Sequence, residues 1–155
     1  MSYRVCFVCM GNICRSPTAE GVFREHAKRL GLLDDLLIES AGIGDWHVGQ
    51  PPDRRAILHA RRRGYDLSAL RARQVRRRDF AEFDHIVAMD RGHLELLRSQ
   101  CPPEHQPKLR LLIKGRDVPD PYYGGPEGFD QVLDMVEAGC LGLLDLVREQ
   151  LRGGG

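Results

Sequence analysis

A cysteine and an arginine stand five residues apart in Cys9-Met10-Gly11-Asn12-Ile13-Cys14-Arg15, and Ser16 follows directly. The segment joins an apolar run to a helix-like stretch. A strand-to-helix loop of this size turns successive backbone N–H groups inward as an anion nest, and the helix N-terminus adds partial positive charge. Gly11 is expected to give the loop its conformational freedom, and asparagine, here Asn12, tolerates left-handed geometry better than most residues. Arg15 can chelate two oxygens of an oxyanion. The field that holds a phosphate also favours a thiolate at Cys9, and a thiolate beneath a bound phosphoryl group is an in-line nucleophile. Ser16 is placed to hydrogen-bond that sulfur and help it leave in a second step.

An alkyl or aryl phosphate needs its leaving oxygen protonated by a positioned acid. Asp120, in Asp-Pro-Tyr-Tyr-Gly-Gly, is the candidate. It must keep its proton while Cys9 has lost its own, which calls for opposed environments. Asp117 competes for the role but lacks flanking aromatics. Tyr122, Tyr123 and Trp46, with Ile13, read as pocket walls for a flat phenolic leaving group. Ser40 either bonds Asn12 and stiffens the nest or simply ends a strand. Asp90 either orients loop groups and Arg15 or caps the next helix. The six histidines are read as structural or exposed, although His47 adjoins Trp46.

The other cysteines admit fewer roles. Cys6 and Cys9 form a Cys-x-x-Cys pair, but Cys6 falls inside the expected strand, which argues against a redox motif. Cys6, Cys9 and Cys14 lack a suitable fourth zinc ligand nearby, so neither metal nor cofactor is expected. Cys14 is close enough to Cys9 across the loop to form a disulfide with it under oxidation, a reversible guard against further oxidation. The plainer alternative is a small residue that packs the loop.

These residues need elements to position them. Tyr3–Cys9 reads as a strand buried on both faces, and a helix runs from about Ser16 to Leu30, ended by Gly31. Pro17 suits its first turn, and Glu20 is close enough to support capping. The segment Leu-Leu-Ile-Glu-Ser-Ala-Gly-Ile is a second strand, followed by a helix capped by Asp53 and closed by Gly64. A short helix at 76–83, a strand at 84–90, a helix from Arg91 to about Ser99 and a strand at 108–113 come next. Apolar positions from Phe129 to Val147 mark a last helix, reaching about Leu151.

Strands alternating with helices predict an α/β fold in three layers, a four-stranded parallel sheet with helices on both faces, doubly wound and flavodoxin-like. Ligands bind such sheets at the carboxyl ends of the strands. The Cys9 loop, Asp90 and the Asp120 loop each follow a strand, so they should converge on one edge. The chain reads as a single domain over 1–152, with a fraying glycine tail at 153–155.

Bulk properties exclude several classes. The chain has 155 residues, 42% hydrophobic and 29% charged, with a formal net charge of +1. Nothing there favours nucleic acid or an anionic membrane, and no apolar run suits a signal peptide or a span. Five irregularly spaced cysteines fit a reducing compartment, hence the cytoplasm. The arginine runs at 61–63 and 76–78 read as solvated faces. A monomer is expected.

The segments Val5–Gly21, Ser-Ala-Gly-Ile-Gly-Asp-Trp, Ala-Arg-Gln-Val, Phe-Asp-His-Ile-Val-Ala-Met-Asp and Asp-Pro-Tyr-Tyr-Gly-Gly together resemble the low-molecular-weight protein tyrosine phosphatases. The resemblance covers essentially the whole chain and implies a metal-free reaction through a phosphocysteine, with phosphotyrosine proteins as substrates. It makes Cys9 the nucleophile, Arg15 the phosphate clamp, Met10 to Arg15 the cradle and Asp120 acid then base. It implies that Ser16 assists thiolate departure, that Asn12 and Ser40 stabilise the loop, and that Trp46, Tyr122 and Tyr123 line the pocket. A histidine often found before Arg-Ala-Arg-Gln in relatives is Leu70 here, which removes a hydrogen bond near the cradle. Sister arginine phosphatases carry threonine where this chain has Ile13, and apolar Ile13 should favour a phenolic leaving group. Thiol-coupled arsenate reductases of this fold need two further cysteines before Asp120, and only Cys101 lies in that interval. A phosphopeptide-binding module without turnover is the non-enzymatic alternative.

Overall fold

A computed structural model describes residues 2–153. In chain order it contains β1 (Tyr3–Cys9), α1 (Arg15–Arg29), β2 (Leu36–Gly42), α2 (Arg54–Arg62) and α3 (Arg77–Glu82). Then follow β3 (His85–Ala88), α4 (Arg91–Gln100), β4 (Leu109–Leu111) and α5 (Pro126–Gly153). The four strands pair in parallel in the order β2-β1-β3-β4. β1 is therefore central, and the chain reverses its winding direction beside it. This is the expected doubly wound topology, with the crevice at the carboxyl end of β1.

The alternation of side chains along β1 decides which helices lie where. Val5, Phe7 and Cys9 join one buried cluster with residues of α1, α2 and α5. Cys6 and Val8 join the other, with Phe80 of α3 and Leu94 and Leu97 of α4. A strand covered on both faces has no polar face, which explains its unbroken apolar run. On α5 the stripe from Phe129 to Val147 is buried against α1 and α2. Each large aliphatic side chain removed from water there contributes about 1.5–3 kcal/mol. Gly139 allows the close approach of α5 to the segment after β4, because a Cβ there would stand 2.6 Å from Leu112 Cγ.

Several boundaries differ from expectation. β4 is only Leu109–Leu111, since a turn bridging Ile113 and Arg116 takes the chain out of the sheet. Pro103–Lys108 form an unanticipated 3₁₀ segment, and Leu33–Asp35 another. α5 starts at Pro126 rather than Phe129, as a proline at a first helical position permits. It continues through Gly153, the first residue of the expected frayed tail, whose remainder lies outside the described residues. Glu20 does not support capping at the start of α1, because its carboxylate binds Ser40 and Arg24. Among the described residues no helix is long and apolar enough to cross a membrane.

Candidate active site

The loop from Cys9 to Arg15 is shaped by its asparagine. Asn12 occupies the left-handed region at φ +58°, whereas Gly11, expected to supply that freedom, does not. Gly11 is small for another reason: a Cβ there would meet His47 Cδ2 at 3.0 Å. Left-handed backbone costs a non-glycine residue roughly 1–2 kcal/mol, and the Asn12 amide offsets it with three hydrogen bonds. Its Nδ2 donates to Ser16 Oγ at 2.8 Å and to Ser40 Oγ at 3.0 Å, while Oδ1 accepts from the Arg73 backbone N–H at 3.0 Å. Leu70, where relatives often place a histidine, contributes apolar packing instead. Gly42 at the end of β2 completes the fit, since a Cβ there would come within 2.9 Å of the Met10 carbonyl oxygen.

Those bonds lead outward to two further partners, Glu20 and Cys9. Ser40 Oγ donates onward to Glu20 Oε1 at 2.7 Å. Burial pushes the Glu20 carboxyl up, and the bonds from Ser40 and Arg24 pull it back. Ser16 Oγ accepts from Asn12 and stands 2.9 Å from Cys9 Sγ, where its hydroxyl can donate to the sulfur once that sulfur is a thiolate. The Ser16 backbone N–H, in the first turn of α1, also reaches that sulfur at 3.4 Å. Two donors and a helix N-terminus thus converge on a buried sulfur, an arrangement suited to a thiolate. Cys14 is buried beside them, and burial pushes its thiol up to about 12.

Arg15 is buried at 6% exposure and held from three sides. Its Nη1 donates to Asp90 Oδ2 at 2.8 Å and to the Val118 carbonyl at 2.9 Å, and its Nη2 stands 3.4 Å from His93 Nε2. Asp90 performs both of its candidate roles, because its Oδ1 accepts from the His93 backbone N–H at 2.8 Å and caps α4. The Val118 bond ties the loop carrying Asp120 to the guanidinium. Asp120 Oδ2 lies 3.8 Å from Arg15 Nη2, and its Oδ1 accepts from the Tyr122 N–H at 3.0 Å. Asp117 is engaged elsewhere: Arg91 binds it through Nε at 3.1 Å and holds its carboxyl below the usual carboxylate range.

The cleft above the sulfur has a volume of about 280 Å³ and brings Cys9, Arg15 and Asp120 together with Trp46, Tyr122 and Tyr123. Ile13 and His47 complete its sides. Tyr122 and Tyr123 meet edge to face at 4.9 Å, and Tyr123 stands 91% exposed at the rim. Ser40 and Asp90 stay behind the cradle, outside the lining.

Sequence reading missed two supports. Arg55 sits over the rings of Tyr122 and Phe129 at 5.4 and 4.7 Å and pairs with Asp53 at 2.9 Å. The Asp53 N–H in turn donates to the Ile13 carbonyl at 2.8 Å, so one helix start braces both cradle and wall. The second is His93, read as structural; it is buried, but against the guanidinium. A helical spacing of three from Asp90 was its only trace in the sequence.

Comparison with known proteins agrees with this architecture. The chain is 48% identical to a low molecular weight protein-tyrosine-phosphatase of Streptomyces coelicolor, over 99% of this chain and 98% of that one. It is 40% identical to the Bacillus subtilis low molecular weight protein-tyrosine-phosphatase YfkJ, over 94% and 96% of the two chains. A crystal structure of a protein tyrosine phosphatase from Entamoeba histolytica superposes with a TM-score of 0.92 at 37% identity, covering 96% of this chain and 99% of that one. The family model described as low molecular weight phosphotyrosine protein phosphatase matches residues 4–153. With that match spanning nearly the whole chain and relatives at 40–48% identity over almost their full length, the chain belongs to the low molecular weight phosphotyrosine protein phosphatase family.

Proposed function

We propose that the protein hydrolyses phosphotyrosine in proteins and small aryl phosphates, without a metal, through a phosphocysteine on Cys9. The observation that carries this is the convergence of the Ser16 hydroxyl and the α1 N-terminus on Cys9 Sγ, in the cleft that also holds Arg15 and Asp120. In the first step the thiolate attacks phosphorus, the S–P bond forms and the P–O bond to the phenol breaks. Asp120 gives its proton to the departing phenolate oxygen. In the second step Asp120 takes a proton from water as that water attacks phosphorus. The S–P bond breaks, inorganic phosphate leaves, and the Ser16 hydroxyl bonds the returning thiolate. Arg15 and the N–H groups of Met10 to Arg15 hold the equatorial oxygens, whose charge is distributed most widely in the transition state.

The aromatic walls favour a flat substrate: Tyr122 and Trp46 flank the entrance, and Ile13 offers no polar partner to a guanidinium leaving group. The cellular partner is a phosphotyrosine protein met in the cytoplasm by a monomer. Under peroxide, Cys9 oxidised to a sulfenic acid condenses with the Cys14 thiol, giving a disulfide and water.

Phosphate release from a phosphotyrosine peptide at mildly acidic pH tests the reading, with Cys9→Ser beside the native chain. The expected result is release that falls to background in the variant; retained hydrolysis would overturn the phosphocysteine route. A phosphoarginine peptide should be the poorer substrate, and Ile13→Thr should shift the ratio towards it.

A further inference from the structure

His93 lies behind the proposed phosphate clamp and has an unusual set of neighbours. An arginine side chain carries only donors, so for the 3.4 Å approach of Arg15 Nη2 to His93 Nε2 to be a hydrogen bond that nitrogen must offer a lone pair. In that hydrogen bond the imidazole facing Arg15 is neutral, with its hydrogen on Nδ1. That Nδ1 is buried and has no hydrogen-bond partner among the described residues. Asp90 Oδ1 is 3.4 Å from it, without hydrogen-bond geometry, and that oxygen is already taken by the His93 backbone N–H. One Asp90 carboxylate thus serves the guanidinium through Oδ2 and the start of α4 through Oδ1.

We propose that His93 is a positioning residue for Arg15, its neutral Nε2 steering the guanidinium towards the bound oxyanion, and that protonating this imidazole loosens the clamp. The proposal rests on the reading of Arg15 as the oxyanion ligand. Protonation would place a hydrogen between Nε2 and Nη2, set two cations against each other, and let the imidazolium compete for Asp90. The charged groups facing the ring are Arg15 from α1, Asp90 at the start of α4, and Asp117 and Asp120 from the loop after β4. Burial and Arg15 disfavour the cation and hold His93 below its ordinary value, so the clamp stays engaged at neutral pH and weakens only as acid is added.

Sulfate is a suitable probe, because it remains a dianion where phosphate changes charge. Its binding to Cys9→Ser, which removes the thiolate, is measured by calorimetry between pH 7.5 and 5. With His93 present, affinity should fall severalfold towards the acid end. In Cys9→Ser/His93→Asn the affinity should vary less than twofold over that range, since the carboxylates are common to both proteins. By linkage, saturating sulfate should also move the His93 ring-proton titration in the NMR spectrum of Cys9→Ser to lower pH. That readout needs no His93 variant and so does not depend on how one folds. Equal pH dependence with and without His93, or a titration that sulfate leaves in place, would overturn the proposal. Arg15→Lys separates the two readings: if it binds sulfate as Cys9→Ser does, Arg15 is not the oxyanion ligand and the clamp itself is wrong.

Discussion

At the scale of single residues, the cradle depends on where each hydrogen can go. Asn12 has two amide hydrogens and gives one to each of two serines, which then have only Cys9 and Glu20 left as acceptors. This arrangement leaves the Ser16 hydroxyl 2.9 Å from the sulfur, free to donate to a thiolate there. Asp120 makes the matching prediction for the leaving group. Asp120→Ala should lower kcat for phosphotyrosine by about 10²–10³-fold, the usual contribution of a general acid. Activated aryl esters, whose phenolates leave unaided, should lose far less; a series of substituted phenyl phosphates checks this by the slope of rate against leaving-group basicity. Much of the residue scale was legible, because Cys9, Arg15 and Ser16 are neighbours in sequence and the chemistry constrains their types. Asn12 takes the left-handed geometry expected of it, whereas Gly11 departs from expectation because a glycine can be needed for space as well as for dihedral freedom. His93 could not be read from the sequence, since its contact with Arg15 exists only across the crevice.

The elements contribute by bringing remote segments to one edge. The start of α2 shows how: Asp53 caps the helix, grips Arg55 and holds the Ile13 carbonyl, while Arg55 lies over Tyr122. Arg55→Met keeps much of the volume and removes the charge that joins these parts. With the cation–π contact to Tyr122 lost, KM for aryl phosphates should rise roughly threefold. kcat should remain within about twofold, because no group touching phosphorus changes; steady-state kinetics on a phosphotyrosine peptide measure both. The strands and long helices were legible from periodicity. β4 and the 3₁₀ segment before it were less so, since Pro103, Pro107 and the turn at Ile113–Arg116 decide their limits through local geometry that hydrophobicity does not encode.

For the whole molecule, acid should act in two stages. Burial holds His93 and His85 below their ordinary value of 6.5, so the unfolded chain binds more protons as pH falls through that region. Stability is therefore full above about 6.5 and declines below it. Asp53, Asp117 and Asp130 are held below 3.8 by Arg55, Arg91 and His59 respectively, so their contribution is present above that value and lost as pH falls through the folded-state midpoints. Urea midpoints at pH 7.5, 5.5 and 3.5 should fall at each step, and His93→Asn should reduce the first fall but not the second. The parallel order of the strands was foreseeable from alternation alone, and with it the edge on which the site lies. The braces between loops were not, because a contact such as Arg15 to the Val118 carbonyl depends on the final packing of segments far apart in the chain.

The packing of α5 on α1 also bears on the order in which the molecule is made. Cys9 and the whole loop to Ser16 emerge from the ribosome with the first strand, but α1 buries Ala19, Val22 and Phe23 only against a cluster that includes Val136, Cys140 and Leu143. The Cys140 thiol reaches the Ala19 carbonyl at 3.6 Å, a contact formed between the second element of the chain and its last. The helix α1, whose first turn meets Cys9 Sγ, thus shares its packing with the last helix to leave the ribosome.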